Sequence, residues 1–155
     1  ALQDFIPWAV RPVAMIAEAR EVDFRVLLSD DLPEIEMDAE LVSEAIFQMA
    51  HNAVKFNKPG GQASIQAYVS DGMVVIELAD TGVGLSEERL EMLGHPFEQS
   101  ADALRRGQEG LGIGWAFVCY VAEVHNGETD VQSDGMGCGS TFTLALPASP
   151  GASRT

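Results

Sequence analysis

The sequence predicts an α+β two-layer sandwich, a mixed and mostly antiparallel sheet with helices on one face. Three observations carry this reading. A long amphipathic helix pattern opens at Asp38, two alternating strand patterns flank Asp71-Gly72, and an apolar helix near residues 115–124 is followed by a closing alternating strand.

Residues 7–20 carry apolar positions compatible with a helix that Pro12 either starts or kinks. Residues 24–28 form a short β-prone run, followed by the turn-rich acidic stretch 29–36. Asp38 is a suitable N-cap, with Met37 before it and Val42 after it spaced as a hydrophobic staple. Beyond it Leu41, Ala45, Met49 and Ala53 form one i, i+4 row and Val42, Ile46, Ala50 and Val54 the adjacent one, which gives a continuous buried stripe. Ala63, Ile65, Ala67 and Val69 then alternate inward, and Asp71-Gly72 turns the chain into a second strand at residues 73–78. A short helix is expected at 87–93, a polar loop at 99–109, and an apolar helix at 115–124 ended by Asn126-Gly127. Phe142, Leu144 and Leu146 face inward in the closing strand, residues 140–146. Residues 1–147 therefore read as one domain and 148–155 as a flexible tail.

Composition excludes several function classes. Apolar residues at 46% and charged residues at 21% are ordinary globular usage, not that of a disordered or rod-like chain. Twenty-four acidic against nine basic residues give a net charge of -15, a field that repels nucleic-acid backbones and anionic lipid. Neither a nucleic-acid partner nor direct membrane contact is expected. Cys119 and Cys138 cannot build a disulfide framework and match no zinc spacing, which fits a reducing cytoplasm. No stretch approaches the roughly 20 apolar residues of a membrane span. The start at Ala1 rather than Met suggests a piece of a longer protein, with any anchor or sensor upstream.

Several polar constellations lie on this frame. Glu44, Gln48 and Asn52 follow one another at i, i+4 on the polar flank of the Asp38 helix, with Lys55 and Phe56 one turn further on. An amide suits a hard cation such as Mg²⁺, an ammonium suits phosphate and a ring packs on a base, so the patch fits a metal-nucleotide as well as it fits a solvated helix face. Asp80, Gly82 and Gly84 follow directly on a strand, where glycines admit a ligand close to backbone. A carboxylate there accepts from the adenine amine and rejects guanine, which presents a carbonyl; taken alone, the same residues also read as a capped turn. Gly110, Leu111, Gly112, Ile113 and Gly114 lead into a helix, whose first N–H groups and dipole favour a phosphate, and the glycines read equally as sites of close helix packing. No Gly-Lys-Ser/Thr follows and the spacing is not G-x-G-x-x-G, so neither a P-loop nor a dinucleotide fingerprint is present. The loop at 99–109, with Arg105 and Arg106, reads as a lid that brings positive charge to phosphate, or as a polar loop holding two arginines in water.

Taken in order, Asn52-Ala53-Val54-Lys55-Phe56, Asp80-Thr81-Gly82-Val83-Gly84, Pro96-Phe97-Glu98-Gln99, the glycines from Gly110 to Gly114 and Gly137-Cys138-Gly139-Ser140-Thr141-Phe142 resemble the N, G1, F, G2 and G3 boxes of the ATP-binding catalytic domain of sensor histidine kinases. The resemblance covers residues 4–147 and extends to the wider Bergerat-fold ATPase superfamily. It implies that Asp80 bonds the adenine amine with Thr141 assisting through water, that Asn52 ligates Mg²⁺, that Lys55 contacts phosphate and that Phe56 lies along the adenine or ribose. It further implies that Gly82 and Gly84 shape the base pocket and that Gly110, Gly112 and Gly114 bracket the phosphates beneath the lid. Two positions depart from the pattern. Gln48 stands where many members carry a second Asn and the hydrolysing relatives a general-base Glu, and Leu111 stands where some members carry a polar residue. A neutral amide takes no proton from water, so efficient ATP hydrolysis is not expected.

The resemblance implies ATP and Mg²⁺ as cofactors and a γ-phosphate transfer to a histidine on a separate helical hairpin, with a response regulator downstream. His51, His95 and His125 do not fit the acceptor context, His51 and His125 reading as structural. Because the family dimerises through that hairpin, the chain alone is expected to be a monomer. A nucleotide-sensing pseudokinase that binds ATP without transfer is the alternative, and a serine-directed kinase of the anti-sigma type fits the F box and long lid less well.

Overall fold

The computed structural model describes residues 1–82, 84, 112–135 and 137–148. The short helix expected at 87–93, the loop at 99–109 with Arg105 and Arg106, His95, Gly110, Leu111 and the tail beyond residue 148 lie outside the described residues. Among the described residues the order is α1 (Leu2–Ala19), β1 (Asp23–Leu28), α2 (Ala39–Lys55), β2 (Gln62–Ser70), β3 (Met73–Asp80), α3 (Gly112–Val124), β4 (Glu128–Gln132) and β5 (Ser140–Pro147).

The sheet runs β1-β2-β3-β5-β4. β1 joins β2 in parallel through the α2 crossover, and every other pair is antiparallel. Ile65, Ile76, Leu78 and Leu144 bury their side chains on one face, against Val42, Ile46, Met49 and Val54 of α2 and the apolar sides of α1 and α3. No helix among the described residues is long and apolar enough to cross a membrane.

α2 forms where its stripe and cap place it, with the Asp38 carboxylate accepting from the Leu41 N–H. Asp71 and Gly72 both take positive φ, the pairing that a two-residue turn between right-twisted strands requires. α1 differs from the sequence expectation, since it begins at Leu2 and contains both Pro7 and Pro12. Its buried stripe of Leu2, Ile6, Val10, Val13 and Ala17 offsets the lost bonds, and Pro12, which has no N–H to donate to the Trp8 carbonyl, is exposed together with Trp8. Val69 is 40% exposed and not inward-facing, because it lies at the hairpin end of β2, beyond the last pair with β1. β4 has no counterpart in the sequence reading; its residues alternate exposed and part-buried at the sheet edge.

Candidate functional site

Asp80 ends β3 opposite Ser140 of β5 and Ala63 of β2. One carboxylate oxygen accepts from the Gly82 N–H at 2.8 Å, and the other accepts from Ser140 Oγ at 2.9 Å. Burial pushes this carboxyl above its ordinary range, while the hydrogen bonds from the Gly82 N–H and from the Ser140 hydroxyl and N–H pull it the other way. The result is a half-buried acid held in one orientation at a strand end.

The neighbouring glycines are required by close approach. A Cβ on Gly82 would stand 2.5 Å from the Phe56 carbonyl oxygen and 2.9 Å from Asp80 Oδ1, so the chain after β3 presses against the C-terminal end of α2. Gly139, at φ +75°, is packed on the Asp80 carbonyl, and Gly84, at φ +70°, on that of Gly135. These contacts bring Asp80, Gly82, Gly84 and Phe56 together.

One and two turns back along α2, Asn52 and Gln48 meet α3. A Cβ on Gly114 would lie 3.0 Å from Gln48 Oε1 and 3.3 Å from Asn52 Nδ2, so the two helices abut through a residue without a side chain. Gln48 Nε2 donates to Glu44 Oε1 at 2.9 Å. Lys55, exposed, sets its ammonium 5.2 Å from the Phe56 ring centroid in a cation–π contact. Gly112 and Ile113 lie in the first turn of α3.

The structure places Ser140, and not Thr141, on the Asp80 carboxylate. Thr141 pairs with Ala79, and because side chains alternate along a strand it shares the opposite face of the sheet. The serine is visible in the sequence only as part of the 137–142 motif, and pairing register alone assigns it to the face of Asp80. His51 stacks on Phe47 at 5.5 Å, and burial, then Lys55 and Arg20, hold its imidazole below the usual range. His125 accepts from the Asp38 N–H through Nε2 and contacts the Val121 carbonyl through Nδ1, tying the start of α2 to the end of α3.

Among the described residues no group of three or more His, Cys, Asp or Glu side chains gathers as a metal cage. The amide oxygens at Asn52 and Gln48 are the donor chemistry of a cation held largely by substrate phosphates, which is how Mg²⁺ is commonly bound.

Residues 37–150 match the family described as histidine kinase-, DNA gyrase B- and HSP90-like ATPase. The chain is 35% identical over 139 residues to histidine protein kinase DivJ of Caulobacter vibrioides, covering 90% of this chain and 23% of that protein. It superposes on the catalytic domain of histidine kinase ThkA with TM-score 0.78 at 17% identity, covering 96% of this chain and 95% of that one. Against full-length ShkA in complex with AMPPNP the TM-score is 0.78 at 23% identity, covering 96% of this chain and 30% of that one. The chain thus spans under a third of those full-length kinases, and it belongs to the histidine kinase-, DNA gyrase B- and HSP90-like ATPase family as an ATP-binding catalytic domain of the histidine-kinase type.

Proposed function

We propose that this domain binds ATP with Mg²⁺ and donates the γ-phosphate to a histidine carried on a separate helical hairpin, from which a response regulator is served. The observation that carries the reading is the oriented carboxylate of Asp80, fixed by Gly82 and Ser140 where the chain presses on the C-terminal end of α2, the helix that bears Asn52 and Lys55. In this reading Asp80 accepts from the adenine amine and Phe56 flanks the base or ribose. Lys55 is a point charge for phosphate, supported by Arg105, Arg106 and the backbone N–H groups of the 110–114 segment.

Asn52, with Gln48, would hold the metal, and Mg²⁺ when bound supplies neutralisation of phosphate charge. Phosphoryl transfer asks mainly for positioning and charge stabilisation, and these residue types meet that demand. The acceptor imidazole nitrogen forms the new P–N bond as the bond from the γ-phosphorus to the bridging oxygen breaks, ADP leaves and the imidazole proton passes to solvent. Gln48 offers no base for water, which directs the phosphoryl group to the histidine. We further assign residues 1–147 as the folded unit, cytoplasmic and monomeric in isolation.

Calorimetric titration with a non-hydrolysable ATP analogue, with and without Mg²⁺, tests the reading. Asp80→Asn weakens all adenine nucleotides, whereas Asn52→Ala removes mainly the Mg²⁺ benefit. Equal affinity for the GTP analogue, or undiminished binding by Asp80→Asn, overturns the pocket. Transfer of labelled phosphate to an added cognate hairpin tests the second half; binding without transfer overturns it.

A further inference from the structure

Glu44 and Gln48 are i, i+4 neighbours on α2, joined by the bond from Gln48 Nε2 to Glu44 Oε1. A carboxylate only accepts, so this contact must be made by the amine end of the amide, and the amide oxygen is turned away from Glu44. That oxygen lies toward the first turn of α3, 3.0 Å from where a Gly114 Cβ would stand, with Asn52 Nδ2 3.3 Å from the same point, and no hydrogen bond from a described residue reaches it. Gln48 is part-buried whereas Glu44 is exposed. An acceptor oxygen is thus presented at the junction of the two helices by a carboxylate that stands outside it.

We propose that Glu44 is a positioning residue for the metal-nucleotide site, fixing the flip of the Gln48 amide so that Gln48 Oε1 serves beside Asn52 as an oxygen donor to the divalent cation. This rests on the ATP reading above and adds to it a role for a residue outside the ligand set. Without the Glu44 carboxylate the amide turns freely and presents its NH₂ group, a donor that repels a cation, for part of the time. The Glu44–Gln48 pair then substitutes for the second amide that many relatives carry in place of Gln48.

The test is the Mg²⁺ dependence of nucleotide affinity, measured by displacement of a fluorescent ATP analogue from the parent chain, Glu44→Ala, Glu44→Gln, Gln48→Ala and the Glu44→Ala/Gln48→Ala double variant. Metal-free affinity is measured for each of the five, and the Mg²⁺ gain is taken as the ratio of the two affinities of the same chain. With Mg²⁺ the parent gains affinity, and Glu44→Ala and Gln48→Ala each lose about fivefold, the scale of one oriented hydrogen-bonding contact. The double variant loses no more than either single one. Glu44→Gln keeps most of the gain, since its amide oxygen still accepts from Gln48 Nε2 although the charge is gone. Parental Mg²⁺ dependence in Glu44→Ala, or losses that add in the double variant, overturns the proposal while the ATP reading stands. A parent that binds no nucleotide overturns both. In the nucleotide-free protein the Gln48 side-chain amide proton resonances are expected to move toward solvent-exposed values in Glu44→Ala; resonances that stay in place also overturn the proposal.

Discussion

Ser140 and Asp80 stand 60 residues apart in the chain and directly opposite each other across the β3–β5 ladder, with Ser140 Oγ donating to Asp80 Oδ2 at 2.9 Å. The carboxylate that would read the base is therefore aimed by a hydroxyl from the neighbouring strand. Removing that donor in Ser140→Ala leaves Asp80 with the Gly82 N–H and the Ser140 position's backbone N–H, so the charged form is less favoured. The affinity for an ATP analogue at neutral pH is expected to fall about fivefold to tenfold. Ser140→Thr keeps the hydroxyl and most of the affinity, and Thr141→Ala, on the other face, leaves it unchanged. Titration calorimetry on the three variants separates the two residues.

Asp80 also sets a pH dependence of stability. Its pKa in the folded state is raised by burial above the ordinary 3.8, so the folded state holds this proton more tightly than the unfolded chain does. The contribution is complete below the ordinary value and is lost as pH rises through the folded-state value. At neutral pH the ionised carboxylate is a net cost that Asp80→Asn removes. The variant is expected to melt above the parent at pH 7, the gap closing as pH falls toward 4 and below, even though nucleotide binding is weakened. A variant that melts below the parent at pH 7 contradicts this account of the carboxylate.

Two glycines separate steric need from conformational need. Gly82→Ala drives a Cβ to 2.5 Å from the Phe56 carbonyl oxygen, and its cost is expected at about 1–3 kcal/mol with damage to nucleotide binding. Gly72→Ala meets no atom within 4 Å but keeps φ +77°, so a loss of about 1 kcal/mol is expected without any change in binding. Urea unfolding and an affinity measurement on each variant check both halves.

His125 bridges two elements that are far apart in sequence. Its replacement by Ala strands the Asp38 N–H and removes the Nδ1 contact to the Val121 carbonyl, which keeps the backbone N–H of residue 125, at an expected cost of about 1–2 kcal/mol in chemical denaturation. A loss under 0.5 kcal/mol, roughly the ceiling for a surface substitution, shows that solvent replaces both bonds.

The two thiols differ in access. Cys138 is exposed, whereas Cys119 is part-buried, contacts Thr129 at 3.6 Å and has its thiol pKa pushed up by burial. One rapid equivalent of maleimide labelling at Cys138 is expected in the native protein, with Cys119 reacting only on unfolding.

The parts of the fold that can be read in the sequence are those where local chemistry and global packing agree. α2 carries its own cap and two apolar rows, and Asp71-Gly72 specifies its turn whatever surrounds it. α1 is misread at its start because Pro7 and Pro12 signal boundaries, while the burial of Leu2 and Ile6 against the core overrides them. β4 is invisible because an edge strand with Val131 as its sole aliphatic residue needs only β5 beside it. In the site, Asp80, Gly82 and Asn52 belong to recognisable local patterns, and the contact of Gly82 with Phe56 and of Gly114 with Gln48 and Asn52 follows only from the packed chain. Ser140 against Thr141 is a question of register, in which a slip of one residue exchanges the faces, and nothing local in Ser140-Thr141 decides it.

α2 and α3 run in opposite directions, fastened through His125 at one end and abutting through Gly114 at the other. They are a pair of tongs with a pivot at the imidazole and jaws at the glycine. The buried row of Val42, Ile46 and Met49 joins the two ends, so a substitution at His125 is expected to reach Asn52 through that packing and not through a direct contact. A defect in nucleotide grip can thus arise from the far end of the helix pair.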